Sequence, residues 1–131
     1  MLRVGFGSCR KQDKPQPVWR AVADVARPPN KLDAWLWLGD AVYGKKGVTS
    51  PETLRSYYRV AAAAEGELRD AAGIIDGVYD DHDYGENDAG KNYAHRDVAR
   101  RLFLDHIGEP EDSPRRTQVG GLYGARTACP A

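Results

Sequence analysis

Apolar positions along this chain follow two rhythms. Three short runs have the length and composition of strands: Arg3-Val4-Gly5-Phe6-Gly7, Leu32-Asp33-Ala34-Trp35-Leu36-Trp37-Leu38, and Gly73-Ile74-Ile75-Asp76-Gly77-Val78-Tyr79. Each is followed by apolar residues at mostly helical spacing: Val18, Val22 and Val25, then Leu54, Tyr57, Tyr58, Ala61 and Leu68, then Ala94, Val98, Leu102 and Ile107. That spacing gathers apolar side chains on one face of a helix. Three β-then-α units in succession predict an α/β layer with largely parallel strands and right-handed crossovers.

The punctuation agrees with this division. Pro17 suits the first position of a helix that Pro28-Pro29 must end. Thr49 and Glu52 have capping-box spacing, Ser50-Pro51 offers an alternative start, and Gly66 weakens the last turns of the second helix. Gly108 and Pro110 close the third. The run from Leu32 to Leu38 reads as a strand covered on both faces, with Trp35 and Trp37 in the core, while Tyr57 and Tyr58 read as helix packing. Val119 to Tyr123 predicts the start of a fourth strand. No repeat, low-complexity tract or linker divides the 131 residues, so one domain with a modest core is expected.

Composition removes several classes of partner. Lysine plus arginine and aspartate plus glutamate both total 19, and this balance gives no reason to expect nucleic-acid-specific binding. No run approaches the roughly 20 apolar residues of a membrane span, and strand-like sequence follows Met1 too closely for a signal peptide. A soluble chain is the expectation. Cys9 and Cys129 lie near opposite ends, and two cysteines alone decide neither pairing nor redox compartment.

Charge is concentrated in one place. The stretch VYDDHDYGEND, residues 78–88, sets Asp80, Asp81, Asp83, Glu86 and Asp88 around His82, directly after the third strand run. The other two strands run into Gly7-Ser8-Cys9 and Gly39-Asp40-Ala41-Val42-Tyr43. Parallel strands share a carboxyl edge, so Cys9, Asp40, Tyr43, Asp81 and His82 are expected to converge there. Crowded carboxylates repel unless cations offset them. Thiolate and phenolate favour iron or zinc, whereas carboxylates and an amide also suit calcium, magnesium or manganese. A mixed two-metal site fits this donor set.

The phrases FGSCR, WLGDAVYG and DDHDYGENDAG, in this order, resemble the PhoD-like alkaline phosphatases, a branch of the metallophosphoesterase superfamily. The resemblance runs over residues 3–123, and residues 124–131 leave the pattern. It implies the amino-terminal half of an αββα sandwich whose second sheet is missing from this chain. It further implies Cys9 as a thiolate ligand and Tyr43 as a phenolate ligand to an iron-type ion, and Asp40 as a carboxylate bridging two metals. Asp81 takes the place of a metal-binding asparagine, and His82 sits over the substrate as acid or charge stabiliser. Iron and calcium are the implied metals, a phosphate monoester or diester the implied substrate, and Asn87 and Asp88 the weaker candidates for supporting or calcium contacts. Many members of that family are exported.

Blander readings stand beside each residue. Cys9 alone reads as a small buried residue, Tyr43 as a half-buried aromatic, Asp40 as a turn residue and His82 as a solvated loop histidine. The acidic stretch also suits a helix-entry cap or a lone calcium site, although it lacks EF-hand spacing. Arg10 is expected to meet phosphate or form an exposed ion pair, and Arg115-Arg116 to be solvated. His95 and His106, eleven residues apart, are too far apart on a straight helix to chelate one ion. A lone sheet with one uncovered apolar face also predicts self-association. Three functions therefore remain: a truncated metal-dependent phosphatase, a noncatalytic metal or phosphate-binding module, or an interaction protein.

Overall fold

The computed structural model describes residues 1–44 and 49–127, so Cys129 lies outside the described residues. Strands β1 (Val4–Gly7), β2 (Leu32–Leu38) and β3 (Ala72–Val78) form one parallel sheet in the order β1-β2-β3. Phe6 pairs with Leu36 and Leu36 with Asp76, while Gly7, Trp37 and Gly77 form the next row. The chain is thus mixed α/β, as the alternation of rhythms predicts.

Side chains alternate across a strand. Trp35 and Trp37 accordingly share a face, on which Trp19 meets both indoles edge-on with ring centroids 5.6 and 5.7 Å away. Gly5 and Gly7 make room for this cluster, since a Cβ on either would stand only 2.7 or 2.8 Å from the Trp35 ring. Each indole removes roughly 150–250 Å² from water, worth about 4–6 kcal/mol as an upper estimate.

Helices cover this face. They are α1 (Val18–Val25), α2 (Pro51–Ala64), α3 (Gly66–Ala71), a single turn α4 (Asp81–Tyr84) and α5 (Arg96–His106), followed by a 3₁₀ turn at Pro114–Arg116. Ser50, rather than Thr49, caps α2 by accepting the Thr53 N–H at 3.2 Å. The second predicted helix breaks at Glu65, one residue before Gly66, and resumes as α3. His95 and His106 stand at opposite ends of α5. No helix among the described residues is long and apolar enough to cross a membrane.

Two expectations about the sheet are corrected. β2 is fully covered on one face only: on the other, Ala34 is buried and Leu36 half-buried, but Phe6 is 68% exposed, Leu38 53% and Val78 45%. The apolar run reflects indoles packed on one side and a partly open apolar surface on the other. No fourth strand forms at Val119–Tyr123 among the described residues. Side chains take the carbonyls there, with Arg115 Nη2 donating to Leu122 O at 3.0 Å and Gln118 Nε2 to Tyr123 O at 3.0 Å.

The arginine expectations also change. Arg115 is buried and binds Asp76 at 2.6 Å and Glu109 at 2.8 Å, and Arg116 pairs with Asp105 at 2.7 Å. Asp76 sits in a strand, and Arg115 and Arg126 together neutralise it. Arg10 is likewise buried. Its guanidinium lies over the Trp19 and Trp37 rings and pairs with the fully buried Glu65 at 2.6 Å. Arg69 at 2.8 Å and His106 at 3.2 Å complete the shell around Glu65.

Burial alone pushes the Glu65 carboxyl up, but His106, Arg10 and Arg69 together outweigh it and hold it below its ordinary value. A depressed carboxyl stabilises the fold above its unfolded value of 4.5 and loses that contribution as pH falls through the folded value. Unfolding midpoints in urea should therefore fall as pH drops below about 4.5. Glu65→Gln, which leaves Arg10 buried without its counter-charge, should cost about 3–5 kcal/mol at neutral pH and flatten that acid limb.

Candidate metal centre

The parallel sheet sends all three strand ends to one edge. After β1 the chain turns through Cys9, and the Arg10 N–H donates to Asp40 O at 3.0 Å, joining the first loop to the second. Gln12 extends this join, accepting the Tyr43 N–H at 2.8 Å and donating to Tyr43 O at 2.9 Å. The second and third loops meet at Gly39. Its φ is +94°, and a Cβ there would come within 2.6 Å of Asp80 Cβ.

Asp40 is the shared member of the site. Its Oδ2 accepts from the Tyr43 hydroxyl at 2.8 Å and lies 3.7 Å from the Cys9 thiol. One donor atom each from Asp40, Asp81 and His82 also lie within 4.8 Å of one another. The five residues expected at this edge are therefore together. They form two donor sets, Cys9-Tyr43-Asp40 and Asp40-Asp81-His82, with Asp40 common to both.

The burial of these atoms tests whether a cation suits the site. Asp40 is 7% exposed, yet its Oδ1 is buried with no hydrogen-bond partner, and His82 Nδ1 is in the same condition. A buried, unpaired acceptor typically costs about 1–3 kcal/mol. A cation bound between these groups would satisfy them, and thiol, phenol, carboxylate and imidazole together make a credible ligand set. Burial, and after it the hydrogen bonds and charges of Asp40 and Cys9, hold the Tyr43 phenol well above its ordinary value. Tyr43 is thus a neutral donor to Asp40 unless a metal ion reverses the local electrostatics.

The backbone is strained at the same place. Among the described residues, the non-glycine positions with left-handed φ are Cys9 at 58°, Asp40 at 54° and Asp88 at 60°. Each costs on the order of 1–3 kcal/mol, and strain of this kind gathers at functional sites. Asp88 supports the cluster from behind, its N–H donating to Asp81 Oδ2 at 2.5 Å, while Asn87 donates to Asp88 at 2.6 Å.

The acidic stretch is ordered as a capped turn. Asp80 is the N-cap of α4, and Asp83 completes a capping box by accepting the Asp80 N–H at 3.1 Å. This turn presents Asp81 and His82 to Asp40, and the His82 ring lies on the Tyr43 ring with centroids 4.1 Å apart. Asp83 points the other way, into the core. Burial pushes its carboxyl up to about 7 against the hydrogen bonds from the Asp80 and Val42 backbone.

Several contributors were not picked out from the sequence. Gln12 and Asp83 hold the loops, Tyr58 bonds only Asp83, and Lys11 brings its ammonium within 5.8 Å of the Tyr43 ring centroid. The D-x-x-D spacing of Asp80 and Asp83 is a capping signal that would have separated Asp83 from the ligands. Nothing in the sequence marks Gln12. Arg10, expected either to meet phosphate or to form an exposed ion pair, is committed to Ala41 O and to a buried pair with Glu65.

Comparison with family models, curated proteins and solved structures returns no match. Geometry therefore carries the assignment. Because Gly39 permits both the left-handed turn and the approach to Asp80, Gly39→Ala should destabilise the chain by at least about 1–3 kcal/mol and weaken metal uptake. Thermal unfolding and a Co²⁺ titration check the two effects.

Proposed function

We propose that this chain is a metal-dependent phosphoester hydrolase of the PhoD-like kind, on a metallophosphoesterase-type α/β frame. The observation that carries the reading is Asp40 as the common neighbour of two donor sets, which suits a carboxylate bridging two ions. Cys9 and Tyr43 would favour an iron-type ion, and the carboxylates Asp40 and Asp81 a harder one such as calcium. When bound, such ions clamp phosphoryl oxygens and lower the pKa of water for in-line attack on phosphorus.

The chain's own residues then have separate tasks. Asp40 is aimed by its left-handed backbone and by the Tyr43 hydroxyl. The Tyr43 ring sets the plane of the His82 imidazole. His82 would protonate the departing alkoxide as a general acid. Lys11 offers the phosphate a positive charge beside Tyr43.

A noncatalytic metal-binding module is the second reading. It is favoured by the commitment of Arg10 to the core, which withdraws that guanidinium from the site. Hydrolysis of p-nitrophenyl phosphate and bis-p-nitrophenyl phosphate by metal-loaded protein separates the two. Turnover that a chelator removes, that Asp40→Asn abolishes and that His82→Asn lowers about 10²–10⁴-fold is expected for the hydrolase. Metal uptake without turnover would sink catalysis and leave the binding module.

The open sheet face supports a second copy as partner, through the exposed Phe6, Leu38 and Val78. Sedimentation at rising concentration should show association that Phe6→Glu reverses. A wild-type chain monomeric throughout would remove this partner.

A further inference from the structure

We infer that Asp83 is a positioning residue which sets the spacing between the two ligand-bearing loops, and so governs how tightly the centre holds metal. The inference rests on the metal-centre reading above. Asp83 is 1% exposed and forms no ion pair among the described residues. Its Oδ1 accepts the Val42 N–H at 3.2 Å, and Val42 lies between the ligands Asp40 and Tyr43. Its Oδ2 accepts the Asp80 N–H at 3.1 Å, at the entry to the turn that carries Asp81 and His82. A single carboxylate therefore spans the two loops, with one oxygen on each.

The third contact explains how the carboxylate is held. The Tyr58 hydroxyl of α2 donates to Asp83 Oδ1 at 3.2 Å. Burial and the nearby Asp83 charge keep that phenol well above its ordinary value, so Tyr58 remains a donor. The same hydroxyl lies 3.4 Å from Asp83 O, so both of its bonds go to Asp83 and neither reaches Val42 or Asp80. Removing its hydroxyl disturbs the support of Asp83 but leaves the bridge itself in place.

The bridge accounts for the choice of residue type. Both backbone partners are N–H donors, so the bridging group must accept at both ends. Asparagine has the same shape, but its NH₂ must face one of the two N–H groups. That conflict loses one of the two bonds, either the cap on Asp80 or the join to Val42, and loosens the turn against the second loop. A glutamate or serine cannot reproduce the span between Val42 and Asp80 with the same backbone. Hydrogen-bonded partners behind metal ligands typically contribute 10–100-fold to metal affinity.

The test compares Co²⁺ binding, followed by visible absorption, in wild type, Asp83→Asn and Tyr58→Phe. Asp83→Asn is expected to weaken Co²⁺ binding about 10–100-fold and alter the ligand-field spectrum. Tyr58→Phe, a control for general loss of packing, should change affinity by less than about threefold. Wild-type affinity in Asp83→Asn overturns the inference while leaving the metal centre intact, and so does an equal loss in both variants. Absence of Co²⁺ uptake by wild type removes the metal reading itself and the inference with it.

Should Asp83→Asn fail to fold, hydrogen exchange in the wild type decides. Binding is reciprocal, so Zn²⁺ should slow exchange of the Val42 and Asp80 amides on the order of tenfold. The Thr53 amide, bonded to Ser50 at the start of α2, should not change. Equal protection at all three amides, or none, overturns the assignment.

Discussion

The Arg10 guanidinium is the interaction on which the rest of the molecule depends. It sits beside Cys9 in sequence yet is 5% exposed, laid over the Trp19 and Trp37 rings. Nε and Nη2 both donate to Ala41 O, at 3.2 and 2.9 Å, directly beside Asp40. Nη2 also meets Glu65, at the junction of α2 and α3. One cation thus ties the loop after β1, the loop after β2 and the helical layer together. A buried ion pair rarely adds net stability over an apolar replacement, but removing one partner is costly. What this pair supplies is a fixed relation between Cys9 and Asp40.

The site itself is arranged against local preference. Cys9 and Asp40 take left-handed backbone conformations, and Asp40 Oδ1 and His82 Nδ1 are buried without partners. Such costs persist only where surrounding structure over-determines them. Here Gln12, Gly39 and Asp83 do so, each joining one loop to the next. Stability supplied by the tryptophan cluster and the Glu65 centre thereby holds a site that would not hold itself.

Much of this was legible in the chain. The two apolar rhythms locate the three strands and the main helices, because a pleated strand and a 3.6-residue helix impose different periods on side chains. Since parallel strands end at one edge, the residues following each run were expected to meet, and the cluster around Asp40 brings those five together. Less legible was anything that depends on a partner distant in sequence. Arg10 and Arg115 look like surface cations until Glu65, Asp76 and Glu109 are placed beside them. Val119 to Tyr123 looks like a strand until Arg115 and Gln118 take its carbonyls.

The division follows from the range of the forces involved. Periodicity, capping and turn chemistry act over a few residues, so the sequence by itself determined the strand-helix alternation and the sheet edge at which Cys9, Asp40, Tyr43, Asp81 and His82 gather. Charge neutralisation and loop-to-loop hydrogen bonding act across 30 to 50 residues of chain, as between Arg10 and Ala41 or Arg126 and Asp76. Only the tertiary structure decided that Arg10 belongs to the core, that one face of the sheet stays open at Phe6, Leu38 and Val78, and that Asp83, alone among its acidic neighbours, turns inward to join the second loop to the third.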